Sequence, residues 1–331
     1  MTKKKLAVIC GIGALSLLVV YKAITILNDR MDENYIKTHY IFDKSFRCNE
    51  KQAEPPVLAN LLSNTVTDGT LKFFRSLEQR FAVPSIKQLD DHFSQVGKYL
   101  GSGLKESEAR RLFGIYKKYL MCEIDLGSDR KYQANSQDPF KILVLLNRIQ
   151  NFRRDRLGKK TADGLYGCDV KEREYVLRRS IIITDKTLYG NEKESNLQRL
   201  KSGMWGGQEV LIGENAEPYN RYQLKLLLYV KDLSELSERE RKLKISEFRK
   251  EFFSKEEIQR LKALDDQLAK EKQDIERYRA AEKAIERLKN ITQEEKNERI
   301  NSLQQEFFGK DAEAFRRREA MRKGAEKKGS F

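Results

Sequence analysis

Apolar residues recur every three to four positions along most of this chain, a spacing that predicts helix after helix. Leu71, Phe74, Leu77 and Phe81 share one helical face beginning at Asp68. Pro84 suits the first turn of a second helix through Tyr99, which Gly101 and Gly103 end. A third, from Glu106 to about Asp125, carries Leu112, Phe113, Tyr116, Leu120 and Met121. These three predict a small bundle. Gly127 to Asn135 reads as a loop, and Asp138-Pro139 opens a helix that contains Ile142 to Ile149 and ends in Arg153-Arg154-Asp155-Arg156. Val170 to Lys186 is helical as well. Its run Ile181-Ile182-Ile183-Thr184 has strand-like β-branching, but no second such run is available to pair with it. Gly203 to Gly213, which holds the single tryptophan Trp205, reads as an irregular turn, and Tyr219 to Val230 resumes helix.

The C-terminal third is the most regular. Ser254 and Glu257 form a capping box, after which Ile258, Leu261, Leu264, Leu268, Ile275, Tyr278, Ile285 and Leu288 line one stripe. Unbroken to Lys289, this helix would run roughly 54 Å, longer than a small domain is wide. This chain alone cannot wrap such a helix. Ser237 to Phe253 also aligns without gaps, 55 residues later, with Thr292 to Phe308. Both copies open on a capping box, Ser237/Glu240 and Thr292/Glu295, and both close on Glu-Phe-Phe. The repeat unit is one helix with an apolar exit, expected to pack on the long helix.

The N-terminus departs from this pattern. Lys3, Lys4 and Lys5 precede a run from Leu6 to Leu27 that is interrupted only by Lys22, which can snorkel. Its span of roughly 33 Å suffices for one bilayer crossing. A signal peptide cleaved near Ala14-Leu15-Ser16 fits less well, because the apolar run continues through Leu17 to Tyr21. A lipoprotein at Cys10 fits poorly after the bulky Ile9. The lysines place the N-terminus in the cytoplasm and the bulk of the chain outside it. Residues 6–27 are thus expected to form a single-pass anchor in a bacterial inner membrane, with the remainder in the periplasm. From Asn28 to about Ala59 the charge is mixed, Pro55-Pro56 interrupts, and no periodicity persists, as in a spacer.

Charged residues make up 35% of the chain and apolar ones 39%, against about 25% and 45–50% in an ordinary globular domain. The apolar surface therefore suits several thin layers between helices better than one large core. Cys48, Cys122 and Cys168 follow the anchor, an odd number without CxxC spacing, so at most one bridge is possible among them. His39 and His92 are the only histidines and have no partner spacing for zinc or a catalytic triad. No GxxxxGK[ST] loop is present, and pairs such as Asp90-Asp91 suit solvated faces better than acid–base catalysis. Hence no catalytic residue, metal, cofactor or small-molecule substrate is expected. The net charge of +15 raises nucleic acid as a partner, but acids alternate with the basic runs, and a periplasmic domain would not meet it.

Several stretches resemble the lipase-specific foldases, also called lipase chaperones. Leu211-Ile212-Gly213-Glu214 leading to Pro218-Tyr219-Asn220-Arg221-Tyr222-Gln223-Leu224 is similar to that family's FG-acid module and the helix after it. Lys231-Asp232-Leu233 with Leu236-Ser237 is similar to its D-x-x-LS connection. Phe252-Phe253, Arg260-Leu261, Arg277-Tyr278 and Arg299-Ile300 are similar to its long C-terminal helix. The family signature R-x-x-F-D-Y-(F/C)-L-(S/T)-A is matched by Thr70 to Gln79 only at Phe73 and Leu77. The resemblance implies an all-α fold of two small bundles joined by an extended, curved helical segment. Its parts would be a head and anchor (1–28), a flexible spacer (29–60), a first mini-domain (61–126), an extended segment (127–262) and a second mini-domain (263–331). It also implies a steric foldase that wraps a secreted lipase of α/β-hydrolase type, without ATP or covalent chemistry. Phe73 and Leu77 would carry partner contact by likeness, and Trp205, Tyr219, Tyr222 and Tyr278 are further candidate anchors; core packing is the competing role for all six. A structural tether or scaffold of an envelope complex would use the same anchor and long helix, but should self-associate through the Leu261 to Leu288 stripe.

Overall fold

The computed structural model describes residues 32–48, 66–81, 89–206 and 217–328. Among them all regular structure is helical, so the expected all-α class holds. The expected anchor, residues 6–27, lies outside the described residues, and among those described no helix is long and apolar enough to cross a membrane. The chain divides into two compact units, Met1–Arg241 and Lys242–Phe331.

The first unit begins with α1 (residues 32–38), followed by α2 (Asp68–Arg80), α3 (Leu89–Gly103), α4 (Glu106–Ser128) and a 3-10 turn at Arg130–Tyr132. Then come α5 (Pro139–Leu157), α6 (Lys159–Thr184), α7 (Gly190–Trp205), α8 (Pro218–Leu228) and α9 (Val230–Glu235). α5 starts where its sequence says it should, with Asp138 Oδ1 accepting from the Phe140 N–H at 2.9 Å and Pro139 in the first turn. α5 and α6 fold back on one another through the single residue Gly158, whose φ of +80° lies where a Cβ would be strained. Ile181 to Thr184 complete α6 as helix.

α6 is the spine of this unit and packs against α2, α5, α7 and α8. Leu77, Val96, Leu112, Tyr116, Leu143, Leu165 and Val170 belong to one continuous core, which runs across the boundary expected at 126/127. His92, whose helix looks polar in sequence, is buried there. Its Nδ1 lies 2.5 Å from the Phe81 carbonyl, which can only accept, so Nδ1 carries a proton, and Nε2 is hydrogen-bonded with the Tyr116 hydroxyl at 2.7 Å.

Residues 32–48 belong to the expected spacer, yet they are built into this core. Ile36, Ile41 and Phe42 are buried, and Asp32 pairs with Arg148 at 2.8 Å. Buried Glu174 of α6 accepts from the Ile41 and Phe42 N–H groups at 2.9 and 3.1 Å, and from Arg178 Nε at 2.8 Å. Buried Lys171, one turn earlier, donates to the carbonyls of Asp43, at 3.0 Å, and Phe46. Burial raises the Glu174 carboxyl above its ordinary pKa and lowers the Lys171 ammonium. The spacer reading missed this because main-chain groups make the contacts, and main chain leaves no periodicity in a sequence.

The second unit begins within α10 (Glu238–Phe252) and continues through α11 (Lys255–Glu286), α12 (Gln293–Phe308), a 3-10 turn at Gly309–Asp311 and α13 (Ala312–Lys328). α10 and α12 are the two repeat copies. Glu240 Oε2 accepts from the Ser237 N–H at 3.0 Å, and Glu295 Oε2 does the same for Thr292 at 2.9 Å. The copies part at their exits: Ser254 caps α11 directly after the first, whereas Gly309, at φ +49°, turns the chain after the second.

Glu174→Ala should destabilise the protein by about 3–5 kcal/mol, because it leaves Arg178 Nε and two main-chain donors without their acceptor. Urea denaturation followed by circular dichroism measures this, and a loss under about 1 kcal/mol would show that the carboxylate is dispensable.

Candidate partner-binding surface

A surface that holds another protein needs apolar side chains left open by its own fold. Five of the six candidate anchors are not in that position. Phe73 and Leu77 turn inward from α2, and Leu77 is about 1% exposed. The spacing that matched the family signature is also the spacing of a core-facing stripe. Trp205 ends α7, so the turn expected from Gly203 starts only at Gly206, where φ is +64°. Its ring meets Tyr175 edge-on at 6.1 Å, and the Lys171 Nζ sits 4.6 Å from its centre. Tyr222 is buried on the inner side of α8.

Tyr278 is the centre of the second unit. It is fully buried, with Phe307, Phe308 and Phe315 edge-on around it and Phe308 stacked on Phe315 at 3.9 Å. Its hydroxyl accepts from Gln304 Nε2 at 2.9 Å, and Gln304 Oε1 accepts from Arg316 Nε at 3.0 Å. Burial pushes the Tyr278 hydroxyl up to about 12. The Phe-Phe exit of the second repeat copy thus closes α12 and α13 onto α11.

Tyr219, the sixth candidate, stands 54% exposed, three residues before the inward Tyr222. Leu227 and Val230 are also exposed and follow it at i+8 and i+11, which sets all three on one face of α8 and its continuation α9. α8 and α9 are held on α7 by other residues. Asp232 Oδ2 accepts from the Gly190 N–H at 2.8 Å, where a carboxylate favours a helix N-terminus. Lys225 and Tyr229 reach the two oxygens of Glu194 at 2.8 and 2.9 Å, and Lys231 donates to the Thr187 carbonyl at 2.7 Å. The stretch that resembles the D-x-x-LS connection therefore does structural work twice, through Asp232 on α7 and through Ser237 at the start of α10.

In the second unit the stripe of α11 divides. Tyr278 is covered by α12 and α13, whereas Leu264, Leu268 and the last member of the stripe, Leu288, remain 48%, 53% and 40% exposed. Leu243 on α10 is exposed too. Leu227, Val230 and Leu243 escaped the sequence reading, because a helical stripe does not say which of its members a neighbour will cover. No group of three or more His, Cys, Asp and Glu residues able to hold a metal occurs among the described residues.

The model of the proteobacterial lipase chaperone protein family matches residues 112–313, more than half of the chain. The chain belongs to the lipase chaperone family. A search of curated proteins found no match. The matched stretch runs from within α4 to the start of α13 and contains both exposed apolar faces, as well as Trp205, Tyr219, Tyr222 and Tyr278; Phe73 and Leu77 precede it. Membership in the lipase chaperone family makes a lipase the partner of this chaperone and folding assistance its role.

Tyr278→Ala in this lipase chaperone should cost about 3–5 kcal/mol of stability by opening a cavity among three phenylalanines. Tyr219→Ala should change stability by less than about 0.5 kcal/mol, yet weaken lipase binding several-fold. Parallel urea titrations and calorimetric binding to the lipase would separate the two roles.

Proposed function

We propose that this lipase chaperone is a membrane-anchored, periplasmic steric foldase that engages a secreted lipase of α/β-hydrolase type through apolar faces on both of its units. The observation that carries this reading is the half-exposed pair Leu264 and Leu268 on a 32-residue helix of which Tyr278 alone is buried. The fold finishes its core around Tyr278 and leaves this part of the stripe for a partner. No reactive group is needed. A protein that binds a late folding species more tightly than an earlier one lowers the barrier between them by that difference in affinity. The positive net charge favours fast encounter with an acidic client, while the buried apolar contacts supply affinity.

The anchor and its orientation are supported by the three lysines ahead of residues 6–27. Arg249 bonded to Asp265 at 2.5 Å and exposed Lys262, Asp266 and Lys270 surround the open leucines with charge of both signs, which suits reversible engagement.

Denatured lipase from the same cell, refolded with increasing full-length chaperone in detergent and without ATP, should recover activity that saturates with the chaperone-to-lipase ratio. Leu264→Lys with Leu268→Lys should keep the helical signal and weaken lipase binding about tenfold or more. Equal recovery with and without chaperone at every ratio would end the foldase reading. For topology, a reporter active only outside the cytoplasm and fused after residue 30 should be active; an inactive but stable fusion would overturn the assigned orientation.

A further inference from the structure

Residues 46–48 lie directly on the turn of α6 that holds Cys168. The Phe46 ring sits so close to Gly167 that a Cβ there would lie 2.3 Å from the ring, and Lys171 holds the Phe46 carbonyl. Cys48, two residues on, packs against the cluster of Tyr175, Leu200, Met204 and Trp205, and its sulfur is hydrogen-bonded to the Cys168 thiol. Two cysteines 120 residues apart in sequence thus meet side chain to side chain, both unbridged and both partly exposed.

We propose that Cys48 and Cys168 form a disulfide pair that fastens the N-terminal segment to α6. The oxidising surroundings it needs rest on the periplasmic reading, and the oxidant is of the class of protein or small-molecule disulfides. Cys48 is the attacking residue. The hydrogen bond from Cys168 and the nearby Lys171 ammonium hold its thiol below the ordinary cysteine range, whereas Cys168, the donor, is raised. The Cys48 thiolate attacks one sulfur of the oxidant, which breaks that S–S bond and expels one oxidant thiolate. Cys168 gives its proton to the expelled thiolate or to solvent and attacks the Cys48 sulfur of the mixed disulfide, releasing the second oxidant thiolate, which takes a proton from solvent. Two cysteine thiols are oxidised to one disulfide while one oxidant disulfide is reduced to two thiols. Cys122 is excluded from this chemistry, since it is buried on α4 and burial pushes its thiol up to about 11.

Closure ties down the main chain that Glu174 and Lys171 depend on. Residues 41–46 supply the main-chain partners of both buried charges, so a covalent link at residue 48 keeps those partners in place.

The test incubates full-length protein in detergent with glutathione disulfide, blocks remaining thiols, digests without reduction and identifies linked peptides by mass spectrometry. A Cys48–Cys168 peptide with Cys10 and Cys122 blocked is the expected result. No bridge, a lasting glutathione adduct at Cys48, or a bridge to Cys10 or Cys122 would overturn the pair. Reduction should lower the Tm of the oxidised protein by about 10 °C and leave Cys48→Ser and Cys168→Ser unmoved. An equal fall in either variant would also overturn it. Thiol trapping in intact cells tests the other premise: free thiols in a protein that bridges readily in vitro would refute the periplasmic placement, while failure to bridge in vitro refutes the pair itself.

Discussion

Burying a carboxylate and an ammonium one turn apart on the same helix is costly unless each finds compensating hydrogen bonds, and in this protein the first unit is assembled around meeting that demand. Glu174 uses two main-chain N–H groups and Arg178, and Lys171 uses two main-chain carbonyls. All four main-chain partners come from residues 41–46. Charge-assisted hydrogen bonds contribute about 1.5–3 kcal/mol each, enough to offset a desolvation cost of several kcal/mol per ion only when nearly all of them are made. α6 is therefore not a finished spine until the N-terminal segment lies on it. The same segment brings Tyr40 and Cys48 to the Tyr175, Met204 and Trp205 cluster, so one polar contact set organises the apolar packing next to it.

This constraint also explains what was legible in the sequence. Signals that act within a few residues were readable: Asp138-Pro139 at the start of α5, the capping boxes at Ser237, Ser254 and Thr292, and the stripe that becomes α11. Ile181 to Thr184 read correctly as helix because a strand needs a partner and none was present. Glu174 and Lys171 sit in a run, Val170-Lys171-Glu172-Arg173-Glu174, that looks like an ordinary solvated face. What buries them lies more than 120 residues away and acts through main chain, which every sequence carries equally. The burial of His92 leaves no mark in the sequence for the same reason, since its partners are the Phe81 carbonyl and the Tyr116 hydroxyl from another helix.

The proposed partner surface was half legible. Helical periodicity picked out the α11 stripe and the aromatic positions of α8, but it cannot distinguish residues covered by the chain's own helices from residues left open. Tyr278 and Leu264 lie on one stripe; three phenylalanines and a glutamine enclose the first, while the second faces solvent. Aromatic residues attract attention as anchors because they dominate interface energetics, and for the same reason a small domain spends them on its own core. In this chain the core claimed Trp205, Tyr222 and Tyr278 and left Tyr219 outside.

Scattered, half-exposed leucines suit a protein that must also let go. Burying a fully exposed leucine contributes about 1.5–3 kcal/mol, so covering one that is already half buried contributes roughly 1 kcal/mol. No single contact of that size could hold a lipase, and association must first overcome several kcal/mol of lost translational and rotational freedom. Useful affinity then requires many such contacts at once, as in the proposed engagement through both units. A folding intermediate that offers all of its contact sites together is held, and a product whose final packing withdraws a few of them loses several kcal/mol of binding. For the steric foldase proposed above, the weakness of each contact is what would allow release without ATP: the energy for dissociation would come from the client's own completion of its fold.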